Sequence, residues 1–552
     1  SEFWGKWVQG AIASYRYNRD PELYEIIRQS AEAMMATQTP DGYIGNYRDD
    51  SHLKQWDVWG RKYTMLGLVH WYDLSGDKRA LKSACRVLDH LMSEVGEGKT
   101  DIISTGNYHG MASCSVLEPV VYIYNRTKEE RYLDYAKYIA RRLTDKDGPE
   151  LVRKALEGVN VANRFPHPKS WWSQENGQKA YEMMSCYVGL LEMYKLTGEE
   201  SYLKAVEKVV ENIIATEINI AGSGAAFECW YGGKERQTLP AYHTMETCVT
   251  FTWMQLCERL MEVNHNMLLA DQIELTMYNA LMASLHADAH QISMYSPLEG
   301  WRTAGGGQCG MHINCCNANA PRAFAMIPRI AYRMPKADRI DINLYMPSKA
   351  AIHMGKRTFD IVQETNYPVT DEVKITVTPD KTAHADIALR IPGWAPKAQI
   401  KVNGEAMDGV ACGEYFIIGR EWKAGDEITL KMEMPARLVQ LNQAAAIERG
   451  PVVYARDSRF NDGFVDEVVT IPNQNGAIQM TAEKAPQDMW IAVSVPMVRG
   501  TYNDASVDTR KIHLCDFASA GSTWDEGIRY RVWLPILYTP DNPKSGHFQG
   551  YW

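Results

Sequence analysis

A threefold repeat in the first 335 residues constrains the fold of this chain more than any other feature. Each copy reads as the end of one helix, a short turn that carries Ser or Thr, and a second helix. The copies begin at Tyr72, Tyr124 and Tyr194. Apolar residues at i, i+3, i+4 and i+7 on both sides of each turn predict amphipathic helices. A helical hairpin buries its apolar face against neighbours, so the hairpins are expected to stack.

Stacked hairpins form either an open superhelix or a closed α/α toroid. The copies are irregularly spaced, and the helical part carries long inserts at 222–238 and 300–312. Repeats in an open superhelix usually keep a fixed period, so the irregular spacing favours the toroid. Loops of this length inside a compact domain often carry function.

The sequence changes character after Pro335, where short apolar or alternating runs replace the helical pattern. These runs predict strands of an antiparallel sandwich; they lie at 340–345, 373–377, 387–391, 400–404 and 428–432. A further β-rich stretch runs from about Arg437 to the end. The predicted fold class is therefore multidomain α+β, with a helical toroid at 1–335, a β-sandwich at 336–437 and a second β-rich sandwich at 438–552.

The charge and the aromatic content limit the classes of molecule that the chain is expected to bind. The formal net charge is −9 with no long run of Lys or Arg, which excludes nucleic acid and disfavours an anionic membrane surface. No apolar stretch approaches the roughly 18 residues of a membrane span. The 16 Trp and 30 Tyr residues far outnumber the 11 Phe residues. Such rings suit sugar sites, although a large helical core uses them as well.

The cysteines and the first residue bear on the cellular compartment. Eleven scattered cysteines cannot all pair, so free thiols or thiolate ligands are expected rather than a small disulfide scaffold. The sequence starts at Ser1 within a helical pattern, and we expect it to begin inside a longer precursor that supplies part of the N-terminal segment. Location in a bacterial periplasm or outside the cell is favoured over the cytoplasm.

The adjacent thiols of Cys315 and Cys316 are the sharpest local signal of chemistry. A disulfide between neighbours is strained, so two thiols before a helix suit metal ligands or reactive thiolates. The alternative is a pair of small buried apolar residues. Glu246 and Cys248 would complete a four-ligand set of the kind that zinc accepts. Because Cys248 and Cys315 are far apart along the chain, this set requires tertiary closure.

Glu228 is a candidate proton donor, because it lies among aromatic residues in the insert before Glu246. An ordinary loop carboxylate is the simpler interpretation of that residue alone. His109 and His243 lie in loops or at helix edges, where a single histidine is more often structural. The sequence contains no phosphate-binding loop, no dinucleotide-binding fingerprint and no serine-hydrolase elbow, which disfavours nucleotide and serine-esterase chemistry.

A set of motifs follows one another in a distinctive order. They are Glu246-Thr247-Cys248, Tyr295-Ser296-Pro297-Leu298-Glu299, Cys315-Cys316 followed by Asn319 and Arg322, Leu389-Arg390-Ile391-Pro392-Gly393-Trp394, Val402-Asn403-Gly404 and Arg449-Gly450-Pro451-Val452-Val453-Tyr454. Together with the helical repeats from about residue 36, this order resembles glycoside hydrolase family 127, the β-L-arabinofuranosidases. The resemblance covers most of the chain and implies an α/α six-hairpin barrel followed by antiparallel β-sandwich domains.

The resemblance also implies roles for individual residues. The positions that match the zinc ligands of the family are Glu246, Cys248, Cys315 and Cys316. Cys315 matches the nucleophile. The acid/base of the family is the Glu of a Gly-Glu-Ala-Phe segment, whereas this chain reads Gly224-Ala225-Ala226-Phe227. Ala225 therefore stands in the place of the acid, and Glu228 is the nearest replacement.

These residues predict a zinc-dependent retaining exo-glycosidase that releases a terminal β-L-arabinofuranosyl or similar sugar from plant glycans. In this hypothesis Cys315 attacks and Glu228 protonates the leaving oxygen. The residues expected to bind the substrate are Tyr295, His243, Trp230 and His109. The expected partner is an oligosaccharide or a polysaccharide side chain, and a homodimer is compatible with the sequence.

Two other classes of protein stay open at this point. Polysaccharide lyases and unsaturated-uronyl hydrolases also use α/α barrels with sandwiches, but they do not need the adjacent cysteines. A non-catalytic glycan-binding relative would keep the barrel and lose the acid at Ala225.

Overall fold

The computed structural model describes residues 1–170, 173–499 and 509–536. This part of the chain contains fourteen α-helices. They are α1 (Glu2–Asn18), α2 (Pro21–Ala36), α3 (Asp57–Ser75), α4 (Lys78–Glu94), α5 (Met111–Cys114), α6 (Leu117–Thr127), α7 (Glu130–Arg142), α8 (Leu151–Leu156), α9 (Ala180–Thr197), α10 (Glu200–Thr216), α11 (Gly233–Arg236), α12 (Thr247–Asn264), α13 (Met267–Thr276) and α14 (Cys315–Ala331). None of them combines the length and the apolar character that crossing a membrane requires.

Six inner helices form a closed ring. Helices α1, α3, α6, α9, α12 and α14 each contact the next, and α14 contacts α1. The outer helices α2, α4, α7, α10 and α13 each pack against the inner helix that precedes them. α14 leads directly into the β-strands. The predicted α/α barrel followed by antiparallel sheets is therefore confirmed.

The repeated phrase is the turn between an inner and an outer helix. After α3, Gly76 adopts φ +73°, and the Asp77 side chain caps α4 by accepting a hydrogen bond from the Arg79 amide. Gly198 takes the same left-handed position after α9, because a residue without a side chain adopts it without strain. Glu199 then caps α10. Each outer helix returns the chain to the start of the next inner helix, so the inner helices run parallel.

Burial differs between the two rings. Helices α3, α9 and α12 are buried around most of their circumference, because two ring neighbours and an outer helix surround each of them. Outer helices bury one stripe, as expected for amphipathic helices. In α10 that stripe consists of Ala205, Val206, Val209, Val210 and Ile213.

Twenty strands lie in the described part of the chain. They are β1 (Glu299–Gly300), β2 (Tyr332–Lys336), β3 (Arg339–Ile342), β4 (Ser348–Met354), β5 (Arg357–Thr365), β6 (Glu372–Pro379), β7 (Ala383–Ile391), β8 (Ala398–Val402), β9 (Glu405–Ala406), β10 (Glu414–Trp422), β11 (Asp426–Met432), β12 (Ala436–Leu441), β13 (Ala444–Arg449), β14 (Val452–Asp457), β15 (Val469–Thr470), β16 (Thr481–Glu483), β17 (Ala492–Arg499), β18 (Thr509–Asp516), β19 (Tyr530–Arg531) and β20 (Leu534–Pro535).

Strands β2–β11 form two sheets, in the orders β10-β7-β3-β2 and β4-β5-β6-β11-β8-β9. Their pairs are antiparallel apart from β3 and β7, which run parallel because the chain builds β4–β6 in the other sheet between them. Alternating residues of β6 are buried, and Val373, Ile375 and Val377 form part of the core. A half-buried sheet produces this alternation.

The third sheet joins the helical domain to the C-terminal part of the chain. It contains β12–β20 together with β1, which follows the Tyr295 motif in the helical domain. Glu299 in β1 pairs with Arg531 in β19, and their side chains form an ion pair of 3.0 Å. The C-terminal sheet therefore anchors the start of the 300–312 insert. Residues 500–508 and 537–552 of the predicted third domain lie outside the described residues.

A buried arginine joins the β-domain to the helical domain. The Arg390 guanidinium on β7 is fully buried and forms ion pairs with Asp271 and Glu274 on α13. Its Nη2 atom is 2.6 Å from Glu274 Oε1. Tyr367 also donates a hydrogen bond of 2.7 Å to Glu274, and the Gly393 amide donates one of 2.9 Å to Asp271. The two carboxylates depend on this arginine for their charge balance.

Replacing Arg390 with Met is expected to lower the free energy of unfolding by about 3–5 kcal/mol, because two buried carboxylates lose their cation. Denaturant unfolding followed by tryptophan fluorescence measures the change. Lys374→Met is the matched control, since Lys374 and Glu427 are 45% and 43% exposed and form an ion pair of 2.8 Å. A surface pair of this kind contributes little to stability. Equal losses in the two variants would contradict the role of Arg390.

Candidate active site

The first turns of α12 and α14 bring four ligand-type side chains together. Glu246 immediately precedes α12, Cys248 lies in its first turn, and Cys315 and Cys316 begin α14. The four ligand atoms all lie within 4.8 Å of one another. Cys316 Sγ is 3.5 Å from Cys248 Sγ and 3.6 Å from Glu246 Oε1. Cys315 Sγ is 3.5 Å from the same carboxylate oxygen. The structure therefore brings all four predicted ligands together.

Asn314 fixes the start of α14. Its side chain accepts hydrogen bonds from the amides of Cys316 and Asn317, at 3.0 and 3.3 Å. Asn317 completes a capping box by accepting a bond of 2.9 Å from the Asn314 amide. The Cys315 amide donates a bond of 2.8 Å to Gln308 in the 300–312 insert. The positive end of the helix dipole favours a thiolate at this position.

The donor set fits a thiophilic divalent cation. Three sulfur atoms and one carboxylate match the ligands and the ligand number that zinc accepts. Glu246 Oε2 is buried and has no hydrogen-bond partner among the described residues, and a cation would satisfy it. Burial and the negative charges of Glu228 and Cys315 raise the pKa of Glu246. A cation is therefore what would keep this buried carboxylate ionised.

Exposure separates Cys315 from the other two thiols. Cys248 and Cys316 are fully buried, whereas Cys315 is half-buried. Burial opposes ionisation of Cys248, but hydrogen bonds from Cys315 and Cys316 and the charge of Lys6 outweigh it and lower its pKa to about 6. The bond to Cys248 raises the pKa of Cys315, and burial raises that of Cys316.

Glu228 lies at the tip of a two-residue hairpin turn. The Ala226 amide donates to the Cys229 carbonyl at 3.0 Å, and the Cys229 amide donates to the Ala226 carbonyl at 2.9 Å. Phe227 and Glu228 between them have φ values of +47° and +65°. Two positive φ values are the mark of a type I′ turn, which usually requires Asn or Gly. Strained backbone of this kind clusters at functional sites.

The turn is attached to the segment that carries the ligand Glu246. The Phe227 amide donates a bond of 2.8 Å to the His243 carbonyl, and the two rings stack with centroids 4.8 Å apart. On the other side of the segment, Glu246 pairs with Tyr295 in an antiparallel bridge. His243 and Tyr295 pack edge to face at 5.0 Å. Glu228 and the four-ligand cluster therefore share one local framework.

Both carboxylate oxygens of Glu228 have strong donors. Lys179 Nζ forms an ion pair with Oε2, and the Tyr295 hydroxyl donates a bond of 3.1 Å to Oε1. The Lys179 side chain is 7% exposed and that of Glu228 is 17% exposed. Burial opposes the charge of Lys179, but Glu182, Glu228, Tyr108 and Glu246 outweigh it and raise its pKa. Burial and the charges of Glu228 and Glu246 raise the pKa of Tyr295.

The remaining predicted site residues differ in their exposure and in their contacts with the Glu228 turn. Tyr295 is half-buried and His243 is exposed, and both adjoin Glu228 through the contacts above. Trp230 is fully buried, and its amide donates a hydrogen bond of 2.9 Å to the Gln178 carbonyl. His109 is exposed, stacks on Phe165 with ring centroids 4.8 Å apart, and places its Nε2 atom 2.9 Å from the Glu175 carbonyl oxygen. Ala225, in the place of the family acid, is buried.

Sequence reasoning missed Lys179, Tyr108 and Gln308. Lys179 Nζ lies 4.9 Å from the centre of the Tyr108 ring as well as against Glu228. Tyr108 has φ +59°, which no sequence pattern signals. The position of Gln308 in a long insert was the one available signal, since such loops often carry function.

A second group of ligand-type side chains lies outside this site, at His52, His90 and Glu94. Arg61 donates a hydrogen bond of 2.6 Å to Glu94, and its guanidinium is 3.2 Å from His90 Nδ1. An arginine therefore supplies the positive charge in this group.

Comparisons with known proteins match the same family in the helical domain and in the first β-domain. Residues 2–329 match the family described as "Beta-L-arabinofuranosidase, GH127 catalytic domain", and residues 339–434 match "Beta-L-arabinofuranosidase, GH127 middle domain". The non-reducing end β-L-arabinofuranosidase of Bifidobacterium longum subsp. longum is 22% identical over 516 residues, which cover 83% of this chain and 75% of that protein.

Two solved structures share the fold. A GH127 β-L-arabinofuranosidase from Geobacillus stearothermophilus T6 superposes with a TM-score of 0.75 at 21% identity, covering 96% of this chain and 89% of that one. Another GH127 β-arabinofuranosidase gives a TM-score of 0.75 at 22% identity, covering 97% and 87% of the two chains. The likeness spans the helical domain and the β-domains together.

The purified protein is expected to hold about one thiophilic divalent metal ion per chain, because three thiols and a carboxylate converge. Cys316→Ser should lose most of that metal, as measured by inductively coupled plasma mass spectrometry. Cys257→Ser is the control, since Cys257 is equally buried on α12 but lies outside the cluster. Equal metal content in the two variants would contradict the assignment.

Proposed function

The chain belongs to glycoside hydrolase family 127, and from that membership we propose that it is a retaining exo-glycosidase for terminal β-L-arabinofuranosyl or similar sugars on plant glycans. The family makes the protein a glycoside hydrolase with a glycan substrate. The sugar follows from the named activity of its relatives. The observation that carries the proposal is the convergence of Cys315 with Glu246, Cys248 and Cys316.

Cys315 is the proposed nucleophile because of its position and its exposure. It is the first residue of α14, where the helix end stabilises a negative charge on sulfur. It is also the half-buried thiol of the cluster, so its sulfur is the one that a substrate reaches. Cys248 and Cys316 are fully buried and suit a purely structural role as ligands.

The proposed cofactor is zinc, held by Glu246, Cys248, Cys315 and Cys316. When bound, zinc keeps its coordinating thiols deprotonated. The chain provides the remaining requirements: it holds Cys315 at the helix end and orients its amide through Gln308.

Two displacements at the anomeric carbon account for retention of configuration. Cys315 Sγ attacks that carbon and forms a carbon–sulfur bond. The glycosidic oxygen leaves with the bonding electron pair and takes up a proton from Glu228. Water then attacks the same carbon and gives a proton to Glu228, and the carbon–sulfur bond breaks to restore the free thiolate. Sulfur takes the place of the carboxylate nucleophile of most retaining glycosidases.

Tyr295 and His243 are proposed to shape the sugar-binding side of this centre. Both lie next to Glu228, and His243 is exposed. Trp230 supports the Glu228 turn from the interior. His109 would meet the substrate further out, on the loop that carries Tyr108.

A non-catalytic glycan-binding role is the second candidate, because Ala225 replaces the acid of the family. It shares the fold and the ligand cluster, and turnover separates the two roles. Release of sugar supports the hydrolase, whereas binding without release supports the glycan-binding role.

Replacing Cys315 with Ala is expected to abolish release of nitrophenol from 4-nitrophenyl β-L-arabinofuranoside, because the other two thiols of the cluster are fully buried. Circular dichroism should show an unchanged fold. Cys412→Ala in the β-domain is the control and should keep the wild-type rate, since Cys412 lies outside the cluster. Undiminished turnover by the Cys315→Ala protein would remove sulfur from the mechanism.

A further inference from the structure

Two exposed aromatic rings lie near the Glu228 turn and have no part in the mechanism above. Tyr242 and Trp301 are 50% and 45% exposed, and their ring centroids are 5.1 Å apart. We call this pair the rim platform. Resting on the proposed function, we propose that the rim platform binds the sugar unit on the leaving side of the scissile bond, so that the enzyme selects a carbohydrate as leaving group.

Tyr242 is attached to the framework that holds Glu228. It directly precedes His243, whose carbonyl accepts the hydrogen bond of 2.8 Å from the Phe227 amide. Phe227 and Glu228 are the two central residues of the turn. One half of the rim platform is therefore a single residue away from the point at which the Glu228 turn is held.

The segments that carry the two rings run side by side from the ligand cluster to the rim. Near the cluster, Glu246 and Tyr295 pair in an antiparallel bridge. Towards the rim, the Tyr242 ring lies so close to Gly300 that a Cβ atom there would be 3.0 Å from it. Gly300 also has φ +97°, which glycine adopts without strain. Glycine at this position lets the Tyr242 ring lie beside Trp301.

The C-terminal sheet supports Trp301 from the neighbouring strand. Gly300 in β1 pairs with Tyr530 in β19, so the antiparallel register places Trp301 opposite Arg529. The guanidinium carbon of Arg529 is 4.7 Å from the centre of the Trp301 ring, a cation–π distance. The Arg529 backbone exchanges hydrogen bonds of 2.9 and 2.8 Å with Ser458. The exposed Trp301 ring is therefore held in place by its neighbours.

The rim platform lies on the side from which the leaving group departs. The Glu228 side chain is 17% exposed, the next residue outward, His243, is exposed, and Tyr242 follows it. In the proposed mechanism the anomeric carbon is at Cys315 and the leaving oxygen is at Glu228. The next unit of the glycan therefore continues from Glu228 towards solvent, where the rim platform is the surface that it meets.

The chemistry of the rim platform suits a sugar ring. Trp and Tyr combine an apolar face with a polar group at the edge. The C–H groups of a sugar pack on such faces, and its hydroxyls accept hydrogen bonds from the Tyr242 hydroxyl and the Arg529 guanidinium. A methyl leaving group offers neither interaction. The platform is therefore expected to strengthen the binding of a glycan and to contribute little to the binding of a methyl glycoside.

The experiment compares zinc-loaded wild-type protein with Trp301→Ala on two substrates. They are methyl β-L-arabinofuranoside and a disaccharide in which a second arabinose replaces the methyl group. On the disaccharide, Trp301→Ala should raise KM about tenfold, the usual effect of truncating an aromatic anchor. The value of kcat should stay within about threefold, because the platform binds substrate and transition state alike. On the methyl glycoside, both constants should stay within about threefold of wild type.

Trp490→Ala is the matched control. Trp490 is 48% exposed and stacks on Tyr278, away from the rim platform. Its variant should match wild type on both substrates. Trp301→Tyr keeps a flat ring with a polar edge and should recover most of the affinity for the disaccharide. An unchanged KM of Trp301→Ala on the disaccharide would overturn the inference. Equal losses on both substrates, or a Trp301→Tyr variant no better than Trp301→Ala, would overturn it too.

Failure of the proposed function has a different signature. Wild-type protein that binds the disaccharide without releasing arabinose would reject the hydrolase. Calorimetric titration then still tests the rim platform, because Trp301→Ala should weaken binding of the disaccharide about tenfold. If wild type releases arabinose from both substrates and Trp301→Ala matches it, the function stands and the platform is overturned. Absence of both binding and release would reject both.

Discussion

The proposed catalytic centre depends on two neighbouring inner helices that begin at the same end of the barrel. α12 and α14 contact each other along the ring, and the four ligand-type side chains lie at their starts. Glu246 and Cys248 are thereby brought within 4.8 Å of Cys315 and Cys316, although the two pairs are far apart along the chain. Closure of the ring through α1 keeps α14 in this position.

Charge balance explains why so many polar groups are buried here. Three thiolates and the carboxylate of Glu246 can be ionised together only if positive charge is present, and a cation held by all four groups would provide it. The end of α14, with its capping box, adds partial positive charge on the side of Cys315. Lys179 provides the positive charge beside Glu228, with which it forms an ion pair. The proposed metal cluster and the ion pair of Lys179 with Glu228 are both attached to the segment that leads into Glu246.

Much of this arrangement could be predicted from the sequence. The threefold phrase marks the turns between inner and outer helices because Gly76 and Gly198 end helices in the left-handed conformation. The order of the motifs identifies the family and selects the four ligand-type residues that the structure brings together. Sequence alone did not reveal the partner of Glu228, because Lys179 is 49 residues away and the pair is created by docking of α9 on the turn. Nor did it reveal that turn, since Phe227 and Glu228 are residues that rarely adopt positive φ.

The central claim is that Cys315 forms a covalent bond with the sugar. Glu228→Gln protein treated with an activated aryl β-L-arabinofuranoside should accumulate this intermediate, because the first step needs no acid and the second lacks its base. Mass spectrometry of the acid-quenched protein, followed by peptide mapping, measures it directly. The account predicts one pentosyl adduct on Cys315. An adduct on a carboxylate, or a burst of aryl alcohol with an unmodified Cys315, would contradict it.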